Sequence, residues 1–143
     1  MSYKRILIAV DSSEFSMTAA KKGLELAHQL NAEVALIFVV DVSKALGNID
    51  AGLMPETALL ILKKEALQTL ETLEAMYNGN KLLKFMPEGH PSDDIIKTSE
   101  NYEADLIIIG THGRTGLQHL LIGSVAENVI RKSKIPVMVV PSK

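Results

Sequence analysis

At 143 residues, 47% hydrophobic and 22% charged, the chain suits one domain that buries roughly two-thirds of the surface its unfolded form would expose, and disorder is excluded. Lys and Arg total 15 against 17 Asp and Glu, a formal net charge of -2, too near neutral for the broad phosphate attraction behind nonspecific nucleic-acid binding. Three Tyr, three Phe and no Trp supply no stacking platform for single strands, and the absence of Cys excludes disulfides, thiolate metal sites and cysteine redox chemistry.

Met1 to Arg5 run straight into a strand-like stretch, with no apolar h-region of the secretory kind. No apolar run nears the roughly 20 residues needed to span a bilayer, so the expectation is a cytoplasmic protein with no membrane partner. Ile6 to Val10 is a short continuous apolar run, the pattern of a strand covered on both faces of a parallel sheet. From Ser12 the period changes, and Ala20, Gly23, Leu24, Ala27 and Leu30 recur at helical steps until Asn31. Val34 to Val40 reads as a second strand, followed by an aperiodic Ser/Gly/Asn/Asp stretch from Asp41 to Met54 that is expected to be a mobile loop.

Pro55 suits the first turn of a long helix whose Leu59, Leu62, Ala66, Leu70, Leu73 and Tyr77 share a face and which ends at Asn78 and Gly79. Leu82 to Met86 is a third strand, and Pro91 with Ser92, Asp93 and Asp94 opens a short helix that turns Ile95, Ile96 and Tyr102 inward. Leu106 to Ile109 is a fourth strand, Ser124 to Lys132 a helix with cations in its last turn, and Pro136 to Val140 a fifth strand. This alternation predicts an α/β fold, a doubly wound sandwich on a parallel sheet with right-handed crossovers, in one domain spanning residues 1–143.

In such sheets ligands bind beyond the carboxyl ends of the strands, where strand order reverses. The loops there offer Asp11, Ser12 and Ser13; Asp41 and its neighbours; Pro87 to His90; and the stretch from Gly110 to Gly123. Only the last is unusual. It reads Gly110, Thr111, His112, Gly113, Arg114, Thr115, Gly116, then Leu117 to Ile122, then Gly123 and Ser124 opening a helix. Glycines let main-chain N–H groups approach a ligand closely, and the positive end of a helix adds to such a nest, so the segment suits phosphates. It fits neither the dinucleotide fingerprint GxGxxG nor the Walker pattern GxxxxGK[ST].

Its spacing is Gly-x2-Gly-x9-Gly-Ser, and with a first strand ending in Asp11 and Ser12, a long mid-chain helix, the segment Ala104 to Gly110 and a last strand ending at Pro141, the whole chain resembles the universal stress protein family. The resemblance is to the ATP-binding branch, since the nonbinding branch lacks these glycines. It implies a five-stranded sheet in order 3-2-1-4-5, with ATP across the reversal between the first and fourth strands. Carried over by position, Asp11 and the backbone at Val39 lie near the adenosine, while Gly110, His112, Gly113, Arg114, Gly123, Ser124 and Val125 surround the ribose and phosphates.

Blander roles compete for these residues. Asp11 with Glu14, and Ser124 with Glu127, have capping-box spacing. His112 stands beside no nucleophile motif and suits contact better than base catalysis, and Arg114 between glycines suits phosphate pairing over a solvated surface role. No two histidines have zinc spacing, so no metal ligand is assigned, although Mg²⁺ can enter with ATP through phosphate oxygens and water. Ile135 to Val140 is apolar on both pleat faces yet falls at a sheet edge in the family's order, which predicts a homodimer through that strand. The function expected is a regulatory module of the stress response, in which ATP occupancy is read by an unidentified protein partner. The alternatives are a slow ATPase using Asp11, His112 or Glu127, and, ranked below both, a receiver domain, which lacks its acidic cluster here.

Overall fold

The computed structural model describes residues 2–47, 52, 54–79, 81–111 and 122–141. In chain order the elements are β1 (Arg5–Ala9), α1 (Glu14–Gln29), β2 (Glu33–Ile37), β3 (Val40–Asp41), α2 (Val42–Gly47), α3 (Pro55–Met76), β4 (Leu82–Phe85), β5 (Glu88–Gly89), α4 (Pro91–Tyr102), β6 (Leu106–Gly110), α5 (Ser124–Lys132) and β7 (Val137–Val140). Five strands pair in parallel in the order β4-β2-β1-β6-β7, which is the 3-2-1-4-5 order expected. Strand order therefore reverses between β1 and β6.

The period of two along each central strand divides the core into two layers. Ile6, Ile8, Val34, Leu36, Leu106 and Ile108 face α1 and α3, where they meet Ala20, Leu24, Ala27, Ala66, Leu70 and Leu73. Leu7, Ala9, Ala35, Ile37, Ile107 and Ile109 face the opposite layer, against Ile95 of α4 and Ala126 and Val129 of α5. These strands are apolar without alternation because both faces are covered. At Gly23 α1 lies close against the sheet: a Cβ there would stand 2.9 Å from Cδ1 of Ile8 and 3.3 Å from Cγ2 of Ile108.

At the opposite end of the strands from the cleft described below, Asp105 binds the start of β1. Its Oδ2 accepts from the backbone N–H groups of Lys4 at 2.8 Å and Arg5 at 2.9 Å. Those two amides hold the carboxyl below its ordinary value of 3.8.

Two stretches depart from the sequence-based expectation. The run from Val34 to Val40 is not one strand: the last bond on the β1 side is Val10 N–H to the Ile37 carbonyl at 2.9 Å, after which the chain parts from β1. Val40 and Asp41 then pair in parallel with Glu88 and Gly89, a two-residue ladder too short to give a periodic signal. The expected loop from Asp41 to Met54 opens with the helix α2, whose six residues are fewer than the window a helical period needs. Residues 48–51 and 53 of that stretch lie outside the described residues.

Candidate functional site

Beyond the carboxyl ends of β1 and β6 lies a cleft of about 290 Å³. Each wall is positioned by a different element. From β1 the chain passes through Val10 to Ser13 into α1, and this turn is held by its own side chains: Oδ1 of Asp11 accepts from Ser13 N–H at 2.8 Å, and Asp11 N–H donates to Oγ of Ser16 at 2.7 Å. Ser13, not Asp11, is the N-cap of α1, its Oγ accepting from Ser16 N–H at 3.1 Å. The capping-box reading of Asp11 with Glu14 is thereby corrected, because the helix begins two residues later than that pairing requires. Asp11 lines the cleft, with Oδ1 engaged in the turn.

The second wall is the extension of the sheet. Phe38 N–H donates to the Phe85 carbonyl at 3.0 Å and Val40 N–H to the Pro87 carbonyl at 2.8 Å, so Phe38, Val39 and Val40 are carried past the end of β2 along the chain that follows β4. All three line the cleft together with Asp41. Lys44 of α2 and Leu62 and Glu65 of α3 close the same side, and Oγ of Ser12 donates to Oε1 of Glu65, tying α3 to the turn after β1.

The third wall carries the glycines. Thr111 N–H bonds the Val140 carbonyl at 3.1 Å, and Gly123 N–H donates to the Thr111 carbonyl, which brings the chain before α5 back against the end of β6. Gly123 is the N-cap of α5, in extended backbone and with no side-chain capping bond. The capping box read from Ser124 and Glu127 is absent: Ser124 is the first helical residue, and the Glu127 carboxylate instead accepts from Nη2 of Arg131 at 2.7 Å, one turn along the helix. The first backbone N–H groups of a helix have no intrahelical partner. Among the described residues no side chain caps α5; the Gly123 N–H is taken by Thr111, and Gly123, Ser124 and Val125 at the start of the helix line the cleft.

The structure thus brings Asp11, Val39, Gly110, Gly123, Ser124 and Val125 to one cleft. His112, Gly113 and Arg114 lie outside the described residues. Sequence reasoning missed Lys44, because the helix that carries it was not expected, and Glu65, whose only mark in sequence is a charge beside the apolar stripe of α3. Pro91 and Ile95 of α4 also border the cleft, although the sequence pointed only to a helix start and an inward face. Among the described residues no cluster of His, Cys, Asp and Glu could hold a metal ion, and no helix is long and apolar enough to cross a membrane.

Known proteins resemble this chain throughout its length. Residues 2–141 match the profile described as Universal stress protein family. The universal stress protein MJ0531 of Methanocaldococcus jannaschii is 41% identical over 140 residues, covering 96% of this chain and 82% of the relative. The solved structure of MJ0577, a universal stress protein of the same organism, superposes with a TM-score of 0.86 at 33% identity and covers 100% of this chain and 99% of that one. A universal stress protein solved in complex with cAMP shares the fold with a TM-score of 0.69 at 22% identity, covering 100% of each chain.

Proposed function

This chain belongs to the universal stress protein family, and on that premise we propose that its cleft binds an adenine nucleotide, ATP, as a regulatory module of the stress response rather than as a dedicated enzyme. The carrying observation is the pairing of two unlike walls at the strand-order reversal: an uncapped helix N-terminus at Gly123 to Val125 facing a carboxylate and an apolar shelf at Asp11 and Val39. Anionic phosphates fit the first wall, where the first amides and the positive end of α5 can meet them and no side chain of the described residues caps the helix. A nucleoside fits the second, where the Asp11 carboxylate can accept from ribose hydroxyls and Val39 offers backbone polar groups beside an apolar surface.

Gly110, which closes the floor of the cleft, and His112, Gly113 and Arg114 of the same glycine motif are assigned to the phosphate end on the motif alone. Mg²⁺ enters, in this reading, on the phosphates and water, since the described carboxylates form no cluster of their own. The whole chain, residues 1–143, acts as one nucleotide-binding domain, and the cAMP complex of a family member accords with an adenine ligand.

Titration calorimetry with ATP tests the assignment. The wild type is expected to bind, and Gly123→Val, which puts a branched side chain where the helix amides open, is expected to lose about tenfold or more in affinity, or about 1.4 kcal/mol. Its thermal unfolding should move little, because Gly123 has a negative φ that valine can adopt. A wild type that evolves no heat with ATP overturns the reading.

A further inference from the structure

Helix α3 has two faces, and among the described residues one of them packs into the fold. Ala66, Leu70 and Leu73, with Leu62 beside them, turn to the sheet. On the opposite side, at steps of four, three and four residues, stand Leu60, Lys64, Leu67 and Glu71, all exposed, with Leu60 67% and Leu67 46% accessible. Residues spaced in this way lie in one narrow stripe along a helix. Ile61, 52% accessible, widens the stripe on its flank, and Ala75 continues it toward the end of the helix. Large apolar side chains on the solvent face of a helix mark a surface that another element covers.

The charges in the stripe say what covers it. Lys64 and Glu71 make no ion pair with any described residue, unlike Lys63, which reaches Glu88 at 2.7 Å, and Glu74, which reaches Lys84 at 2.8 Å. Their order along the stripe is apolar, cation, apolar, anion. Turned end for end about a two-fold axis passing beside Leu67, the stripe meets itself with every cation opposite an anion. Lys64 of one copy then faces Glu71 of the other, Leu60 faces Ala75, and Leu67 packs by the axis against its own copy.

We propose that the outward face of α3 is a self-docking surface, on which a second copy of this chain packs antiparallel with Lys64 and Glu71 paired across a two-fold axis. The area is that of one helix face, so the association is weak and sensitive to salt. It does not depend on the nucleotide reading, and α3 lies on a face of the sheet rather than at the β7 edge, so it can coexist with edge pairing there.

The chain has no Cys, so a single introduced thiol reports contact without background. Leu67→Cys, treated with a short bismaleimide at micromolar protein, is expected to give a covalent dimer with several-fold higher yield than Met76→Cys, an exposed position off the stripe. Adding Lys64→Glu, which sets like charges opposite each other, should return the yield to that control. Combining Lys64→Glu with Glu71→Lys should restore it. These positions are all exposed, and circular dichroism of each variant checks that it is folded. Equal yields from Leu67→Cys and Met76→Cys, or a yield that Lys64→Glu leaves unchanged, overturn the proposal and leave this face to a different partner or to solvent.

Discussion

Asp11 has two tasks that pull on the same carboxylate. Oδ1 is spent on the Ser13 amide, which shapes the turn, while the residue also borders the cleft. The type and position of Asp11 were evident in sequence, but its partner was not, because Asp, Ser and Ser in succession can each cap a helix and only geometry selects Ser13. Asp105 carries a different kind of information. The amides of Arg5 and Lys4 favour its ionised form, so its folded pKa lies below the unfolded value. A depressed carboxyl contributes stability that is present above the unfolded pKa and is lost as pH falls through the folded one. Asp105→Asn should therefore lower the free energy of urea unfolding at neutral pH, by about 0.5 kcal/mol once solvent screening is allowed for. The difference from wild type should vanish below the carboxylate range, and a loss equal at neutral and acid pH would assign the effect to packing instead.

Long elements with a clear period were readable before any coordinates, and short ones were not. α3 showed itself through Leu62, Ala66, Leu70 and Leu73 at helical spacing and through Pro55 in its first turn, and α5 through Ser124 and its final Arg131 and Lys132. β3, β5 and α2 escaped because two to six residues carry no period, and what holds them is long-range: Val40 pairs with Glu88, and α2 rests on α3. This matters for the cleft, since Asp41 and Lys44 belong to those missed elements. A nucleotide in the cleft would lie against α2, and on the proposed regulatory reading α2 is the element through which occupancy would pass to a partner. Hydrogen exchange of the amides of Val42 to Gly47 should slow when ATP is added to the purified protein. Unchanged exchange there, with slowing at α5, would show binding without a signal in this helix.

At the scale of the molecule, the order β4-β2-β1-β6-β7 does two things at once: it opens the cleft at its reversal and leaves β7 with one unpaired edge. Gly110, Gly123 and Ser124 were legible as part of the cleft because the motif is local in sequence, and Val39 through the family resemblance, whereas Lys44 and Glu65 join the opposing wall only by folding. On β7, Val137 and Val139 turn toward α5 and Met138, 40% exposed, toward the other side, so the edge is apolar on both sides, as an intermolecular pairing strand would be. Pairing through this edge predicts a dimer in sedimentation velocity at micromolar concentration that Met138→Asp converts to monomer while ATP binding persists; a wild-type monomer would contradict the pairing, and a dimer that tolerates the substitution would place the contact elsewhere. The central claim is that ATP occupies the cleft between β1 and β6, and an ¹H–¹⁵N correlation spectrum recorded with increasing ATP tests it most directly. The account predicts shifts concentrated at the amides of Val39, Gly110, Gly123, Ser124 and Val125, with Asn101 and Tyr102 at the far end of the fold unmoved. A spectrum that ATP leaves unchanged, or one that moves at Asn101 and Tyr102 instead, would contradict it.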